Sequence, residues 1–174
     1  NLSGKKYHKK KNLVNYFKNS FTIKLLPLSQ NTIKDAKFIL ENWYKNWSVD
    51  NIGDLFSDYE ICKNALNMFL SDNNELTGFI LYADESPCAF SIGETLTQND
   101  TYCVHFEKAI NDYKGVFQTI NQLTAQNLDP NIIFINREQD LGDSGLRQAK
   151  LTYKPCKMIN KYTVHRTNND NMII

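Results

Sequence analysis

The chain has 174 residues, a hydrophobic fraction of 41%, an aromatic fraction of 12% and a formal net charge of +1. That length and apolar content suit one domain with a bulky core. The near-neutral charge excludes a global field driving it to nucleic acid or membrane, and no stretch of about eighteen apolar residues spans a bilayer.

The N-terminus, NLSGKKYHKKK, is basic but has no apolar run of signal-peptide type. A cytoplasmic location is therefore expected. The first residue is not Met, so the sequence reads as the later part of a longer product, with trimming or processing as the other reading. Cys62, Cys88, Cys103 and Cys156 form no CxxC pair and no metal framework, and only three histidines, His8, His105 and His165, are present. Reduced, mostly buried thiols and no metal site are expected.

Residues 3–18 read as a basic helix with Ser3 as its cap and Leu13, Tyr16 and Phe17 as a thin apolar stripe. Lys5, Lys6, Lys9, Lys10 and Lys11 make either a solvated face or an anion-facing patch. Phe21–Leu28 reads as a strand. Thr32–Trp47 reads as an amphipathic helix, with Ile33, Ala36, Leu40, Trp43, Tyr44 and Trp47 at helical spacing. Ser57-Asp58-Tyr59-Glu60 has the pattern of a capping box that opens a helix to about Leu70, with Tyr59, Cys62, Leu66, Phe69 and Leu70 inward.

Three strands follow, Leu76–Tyr82, Cys88–Leu96 and Thr101–Glu107, separated by turn residues at Asp84–Pro87 and Gln98–Asp100. They predict an antiparallel meander, with Cys88, Phe90 and Ile92 on one face. A turn at 112–115 precedes a helix over Val116–Asn127. Asn131–Asn136 is continuously apolar through Ile132–Ile135, which predicts a strand buried on both faces. A helix at Asp143–Thr152, a last strand at Lys157–His165 and a polar tail complete the chain.

The segment 101–136 is strand, helix, strand, and a crossover helix makes its two strands parallel. Ligands in open α/β sheets bind beyond the carboxyl ends of such strands. One strand ends in His105-Phe106-Glu107-Lys108, the other in Asn136-Arg137-Glu138-Gln139-Asp140. Charges there cost several kcal/mol to bury unless paired. They read either as a site or as an ion-pair network tying the sheet edge to the last helix.

VHFEKA at 104–109, YKGVFQTIN at 113–121 and INREQDLGDSGLRQAKLTYKP at 135–155 resemble the signature of the phosphatidylglycerol lysyltransferase C-terminal-like family. SGKKYHKKKN at 3–12 is similar to the segment leading into that domain. The resemblance implies the GNAT acyltransferase fold: an α/β (α+β) chain with a mixed, mostly antiparallel sheet, a central β-α-β crossover and helices on both faces. It further implies a basic linker helix over 1–20, the acyltransferase domain over 21–166, a tail over 167–174, and a preceding GNAT-like domain in the same protein.

The activity implied is transfer of an acyl or aminoacyl group, from acyl-CoA or aminoacyl-tRNA, to an amine or hydroxyl; a non-catalytic module binding nucleic acid or a partner protein is the alternative. Such chemistry takes up a proton and stabilises an oxyanion. Glu107 and His105 are the candidate bases and Tyr153 the candidate general acid. Asn136, Arg137, Glu138, Asp140, Arg147, Lys150 and Lys108 are the candidate binding residues. Lys114 and Gly115 stand at the turn where GNAT acetyltransferases bind pyrophosphate on a helix N-terminus. That turn has one glycine here and the acid Asp112, which predicts weak binding of acetyl-CoA. Beyond the donor substrate no cofactor is expected. The early lysines are candidate tRNA contacts. Glu107→Gln is expected to leave the fold intact.

Overall fold

The computed structural model describes residues 4–47, 52–71, 75–96, 100–140, 142–160 and 162. The elements are α1 (His8–Ser20), β1 (Ile23–Pro27), α2 (Ile33–Trp47), α3 (Ile52–Met68), β2 (Thr77–Ala83), β3 (Ser86–Thr95), β4 (Thr101–Ala109), α4 (Val116–Asn127), β5 (Phe134–Asn136) and α5 (Ser144–Leu151). The chain divides into two compact units, Asn1–Gln139 and Asp140–Ile174.

The first unit carries a five-stranded sheet in the order β1-β2-β3-β4-β5. Neighbours up to β4 pair antiparallel, and β4 pairs parallel with β5. The expected meander and the β-α-β crossover are therefore both present. Helices cover both faces. Ile39 and Leu40 of α2 and Leu66 of α3 pack with Ile80, Phe90 and Ile92 on one side. Phe17 of α1 and Val116 and Ile120 of α4 pack with Leu81, Ala89 and Ala109 on the other. Phe17, Phe21 and Tyr113 stack where α1 meets the turn before α4, with centroids 5.1–6.4 Å apart. The basic helix is thus integrated into the unit, and Lys18 Nζ donates to Gln122 Oε1 of α4 at 3.0 Å.

Two bulges re-aim β3 and β4. Leu81 pairs with Ala89 and Tyr82 with Pro87, which leaves Cys88 as the extra residue of β3. An extra residue breaks the two-residue alternation. Cys88 consequently lies with the α1/α4 cluster, whereas Phe90 and Ile92 lie with the α2/α3 cluster, so the three do not share a face. On β4, Phe106 pairs with Ile92 and Val104 with Gly93, leaving His105 as the extra residue. Gly93 permits the close approach there: a Cβ on it would stand 2.1 Å from the Cys103 carbonyl oxygen.

Other expectations are corrected. Ser57 lies inside α3, which starts at Ile52, so it caps nothing; an S-x-x-E pattern caps only where the serine backbone is outside the helix. Leu70 and Tyr16 are exposed, and Val14 joins Phe17 as the buried stripe of α1. The run at 132–135 is not doubly buried. Only Phe134–Asn136 is strand, it is an edge, and Ile133 and Phe134 are 72% and 48% exposed.

In the second unit, α5 begins as expected: Asp143 caps it by accepting from the Leu146 N–H at 2.6 Å. The expected last strand is not formed over residues 157–160. Met158 and Ile159 are 70% and 73% exposed, so little burial there stabilises a pleated segment. Ser3, Gln98, Asn99 and His165 fall outside the described residues.

Candidate active site

The β4–β5 pairing sets the site. Thr101, Tyr102 and Cys103 lie beside Phe134, Ile135 and Asn136. β5 then ends, while β4 continues to Ala109 along β3. Beyond Asn136 the β4–β5 pairing ends, and His105, Glu107, Arg137 and Glu138 pair with one another there.

Two groups form. In the first, Arg137 Nη2 donates to Glu107 Oε1 at 3.1 Å, and Asn121 Nδ2 of α4 donates to Glu107 Oε2 at 3.1 Å. The Glu107 side chain is only 10% exposed. Lys10 of α1 lies close enough for both Arg137 and Glu107 to act on its charge. Its pKa is lowered, first by partial burial and then by Arg137, against the opposing pull of Glu107. Ser91, opposite Glu107 on β3, is fully buried, and its hydroxyl has no partner among the described residues.

In the second group, His105 Nδ1 lies 2.6 Å from Glu138 Oε1 and Nε2 lies 2.9 Å from Glu94 Oε1. Burial pulls the imidazole pKa down, but the hydrogen bonds to Glu138 and Glu94 outweigh it and the net shift is upward. The Cys103 thiol reaches Glu138 Oε1 at 3.7 Å. Glu138 has left-handed backbone, φ 50°, and its N–H donates to Asn136 Oδ1 at 2.8 Å. Asn136 therefore fixes the turn that presents Glu138.

The remaining candidates make other contacts. Lys108 is buried on the opposite face of the sheet, ion-paired with Asp58 and 3.6 Å from the Trp43 ring centroid. Lys114 places its ammonium 4.8 Å from the Tyr16 ring centroid. Gly115 has φ 88°, and a Cβ there would stand 2.3 Å from the Leu13 carbonyl oxygen of α1. Its lack of a side chain is thus used to pack α1 against the start of α4. In the second unit, Arg147 Nε and Nη2 grip Asp140 at 2.6 and 3.1 Å, and Lys150 adds to the field on Asp140. Tyr153 follows α5, half-buried, with its N–H donating to the Lys150 carbonyl at 3.0 Å. Lys5, Lys6, Lys9 and Lys11 are exposed.

The sequence reading missed Lys10 as a site residue, because a lysine run does not say which member turns inward. It also missed Asn121, Ser91, Glu94 and Cys103. Only the pairing of β3, β4 and α4 around the strand ends brings these together.

A five-stranded, mostly antiparallel sheet whose parallel β4–β5 pair ends just before the β4 bulge, with helices on both faces, has the GNAT fold. Solved structures agree. A possible acetyltransferase from Clostridium difficile 630 superposes with TM-score 0.58 at 11% identity, over 83% of this chain and 97% of that one. A ribosomal-protein-alanine N-acetyltransferase from Brucella melitensis biovar Abortus 2308 gives 0.59 at 10% identity, over 84% and 100%. A conserved protein of unknown function from Bacteroides thetaiotaomicron VPI-5482 gives 0.80 at 32% identity, over 90% of this chain and 52% of that one. The chain thus spans about half the length of that relative. No curated protein matches in sequence. The model of the family described as phosphatidylglycerol lysyltransferase, C-terminal, matches residues 1–165, and the chain belongs to that family. Among the described residues, no helix is long and apolar enough to cross a membrane.

Proposed function

We propose that the domain transfers an acyl or aminoacyl group to an amine or hydroxyl in the crevice where β4 and β5 part. The observation carrying this reading is the Glu107–Arg137 pair at 3.1 Å, with Asn121 and Lys10 around it. Attack on an ester or thioester carbonyl places negative charge on the carbonyl oxygen and releases a proton from the acceptor; collapse of the intermediate then breaks the ester or thioester bond, and the tRNA hydroxyl or CoA thiol leaves carrying a proton. Fixed cations in a water-poor crevice stabilise that charge without reorganising; Arg137 and Lys10 are these cations. Glu107, oriented by Arg137 and Asn121, is the proton acceptor. His105 is the weaker candidate, since both of its ring nitrogens are held by carboxylates.

Aminoacyl-tRNA is the donor we favour over acyl-CoA. The turn before α4 has a single glycine, and the space beside it is filled by the α1 backbone. The exposed Lys5, Lys6, Lys9 and Lys11 suit phosphate contacts. A GNAT-like domain preceding residue 1 fits the twofold greater length of the Bacteroides relative. The same lysines would serve a non-catalytic module that binds nucleic acid.

The test is to incubate the protein with labelled aminoacyl-tRNA or acyl-CoA and a panel of amine and hydroxyl acceptors. Transfer that Glu107→Gln removes while the protein stays folded is expected. Retention of full activity in that variant overturns the assignment of Glu107. Protection of the tRNA without any transfer supports the binding module instead.

A further inference from the structure

Cys103, His105 and Glu138 come together for a reason that the transfer chemistry does not supply. Their donor atoms all lie within 4.8 Å of one another. We propose that these three residues bind one divalent transition-metal ion of the zinc class at the β4 bulge.

The donor geometry comes first. A tetrahedral zinc with its usual bond lengths of about 2.0–2.3 Å keeps its ligand atoms about 3.3–3.7 Å apart. Cys103 Sγ and Glu138 Oε1 already stand 3.7 Å apart. His105 Nδ1 and the same carboxylate stand at 2.6 Å, so admitting an ion needs Oε1 to withdraw by under about 1 Å. The half-exposed Glu138 side chain has room to make that movement.

The second feature is the hold on His105. Glu94 Oε1 lies 2.9 Å from Nε2 and would accept the proton of that nitrogen once an ion takes Nδ1. Nδ1 is then the ligating nitrogen, pointing to Glu138. A ligating histidine commonly donates its other N–H to a carboxylate, which fixes both tautomer and ring orientation. Glu94 occupies that supporting position.

The third feature is backbone preparation. The bulge leaves His105 unpaired with β3, and Glu138 sits in left-handed backbone braced by Asn136. Strained, braced backbone persists where the surroundings over-determine it.

The ligand set also selects the ion. A thiolate and an imidazole favour zinc, cobalt or copper over magnesium or calcium. Three protein ligands leave a fourth position for water or substrate. Binding forms M–S, M–N and M–O bonds; the thiol proton, and any proton on Nδ1, leave to solvent.

The experiment is titration of the purified, metal-stripped protein with Co²⁺, followed by competition with Zn²⁺. Expected are one cobalt per chain, a thiolate-to-cobalt charge-transfer band, and its loss when zinc is added. Cys103→Ser should remove the band, Glu94→Gln should weaken binding about 10–100-fold, and Cys156→Ala, at an exposed cysteine remote in sequence, should change nothing. Circular dichroism of each variant separates loss of ligand from loss of fold. Absence of a band in the folded wild-type protein, or a band that survives in Cys103→Ser, overturns the site. No donor or acceptor is present in this experiment, so its failure leaves the transfer reading untouched.

Discussion

Glu107, four residues beyond the last residue of β4 that pairs with β5, meets Arg137, the first residue after β5, at 3.1 Å. The two side chains are 10% and 25% exposed, so water screens the pair only partly. Removing the Glu107 charge also leaves Arg137 and Lys10 as neighbouring cations. Glu107→Gln should therefore destabilise by about 2–3 kcal/mol, below the roughly 3–5 kcal/mol of a fully buried pair. In a chain of this size that lowers Tm by about 5–10 °C. The variant is thus expected to keep its fold at a lowered Tm. Thermal melts of Glu107→Gln, Arg137→Gln and the double variant form the check. A coupling energy near zero would remove the pair from the account.

Ser91 makes the contrary prediction. A fully buried hydroxyl without a hydrogen bond costs about 1–3 kcal/mol. Ser91→Ala should therefore raise Tm by about 2–12 °C. If that hydroxyl reaches the substrate beside Glu107, the same variant loses activity as it gains stability. A lowered Tm would show that Ser91 is satisfied in solution.

Much of the fold was legible because its signals are local or periodic. The meander, α2, α4 and the β-α-β crossover follow from alternation, helical spacing and handedness. The errors occur where one local pattern has two physical causes. The apolar run at 132–135 reads equally as a doubly buried strand or as an edge with exposed Ile133 and Phe134. Ser57-x-x-Glu60 reads as a cap only if the helix has not already started at Ile52. The Cys103–His105–Glu138 group was invisible because zinc spacing rules are local, whereas this cluster needs the bulge and a residue 33 positions from His105. Lys108 read as a site lysine beside Glu107, yet adjacent strand residues point to opposite faces, and it packs with Asp58 and Trp43.

In the second unit, the Asp140 carboxyl is held down to about 2, chiefly by the hydrogen bond from Arg147 and then by the Gly142 N–H. A depressed folded-state value contributes stability that is present above the ordinary 3.8 and is lost as pH falls through about 2. Carboxyl NMR across pH 1.5–5 should therefore show Asp140 titrating at about 2, below the ordinary value of 3.8. Arg147→Gln should return it towards 3.8. An unshifted Asp140 in the wild type would show that the ion pair does not persist in solution.

Gly115 links the packing of α1 to the choice of donor. Its φ of 88° disfavours any L-residue, and a Cβ would lie 2.3 Å from a backbone oxygen that cannot rotate away. Left-handed backbone alone costs about 1–2 kcal/mol, and the clash adds to it. Gly115→Ala should lower Tm and loosen α1, seen as faster amide exchange at Val14 and Phe17, which are buried in the wild type. The native turn is also expected to bind acetyl-CoA poorly, because its single glycine is packed against the α1 backbone at Leu13. Isothermal titration with acetyl-CoA should give no saturable heat. A micromolar Kd, about −8 kcal/mol, would mean that α1 yields to the cofactor. Loosening α1 by Gly115→Ala would then strengthen rather than abolish that binding, and the preference for aminoacyl-tRNA would fall.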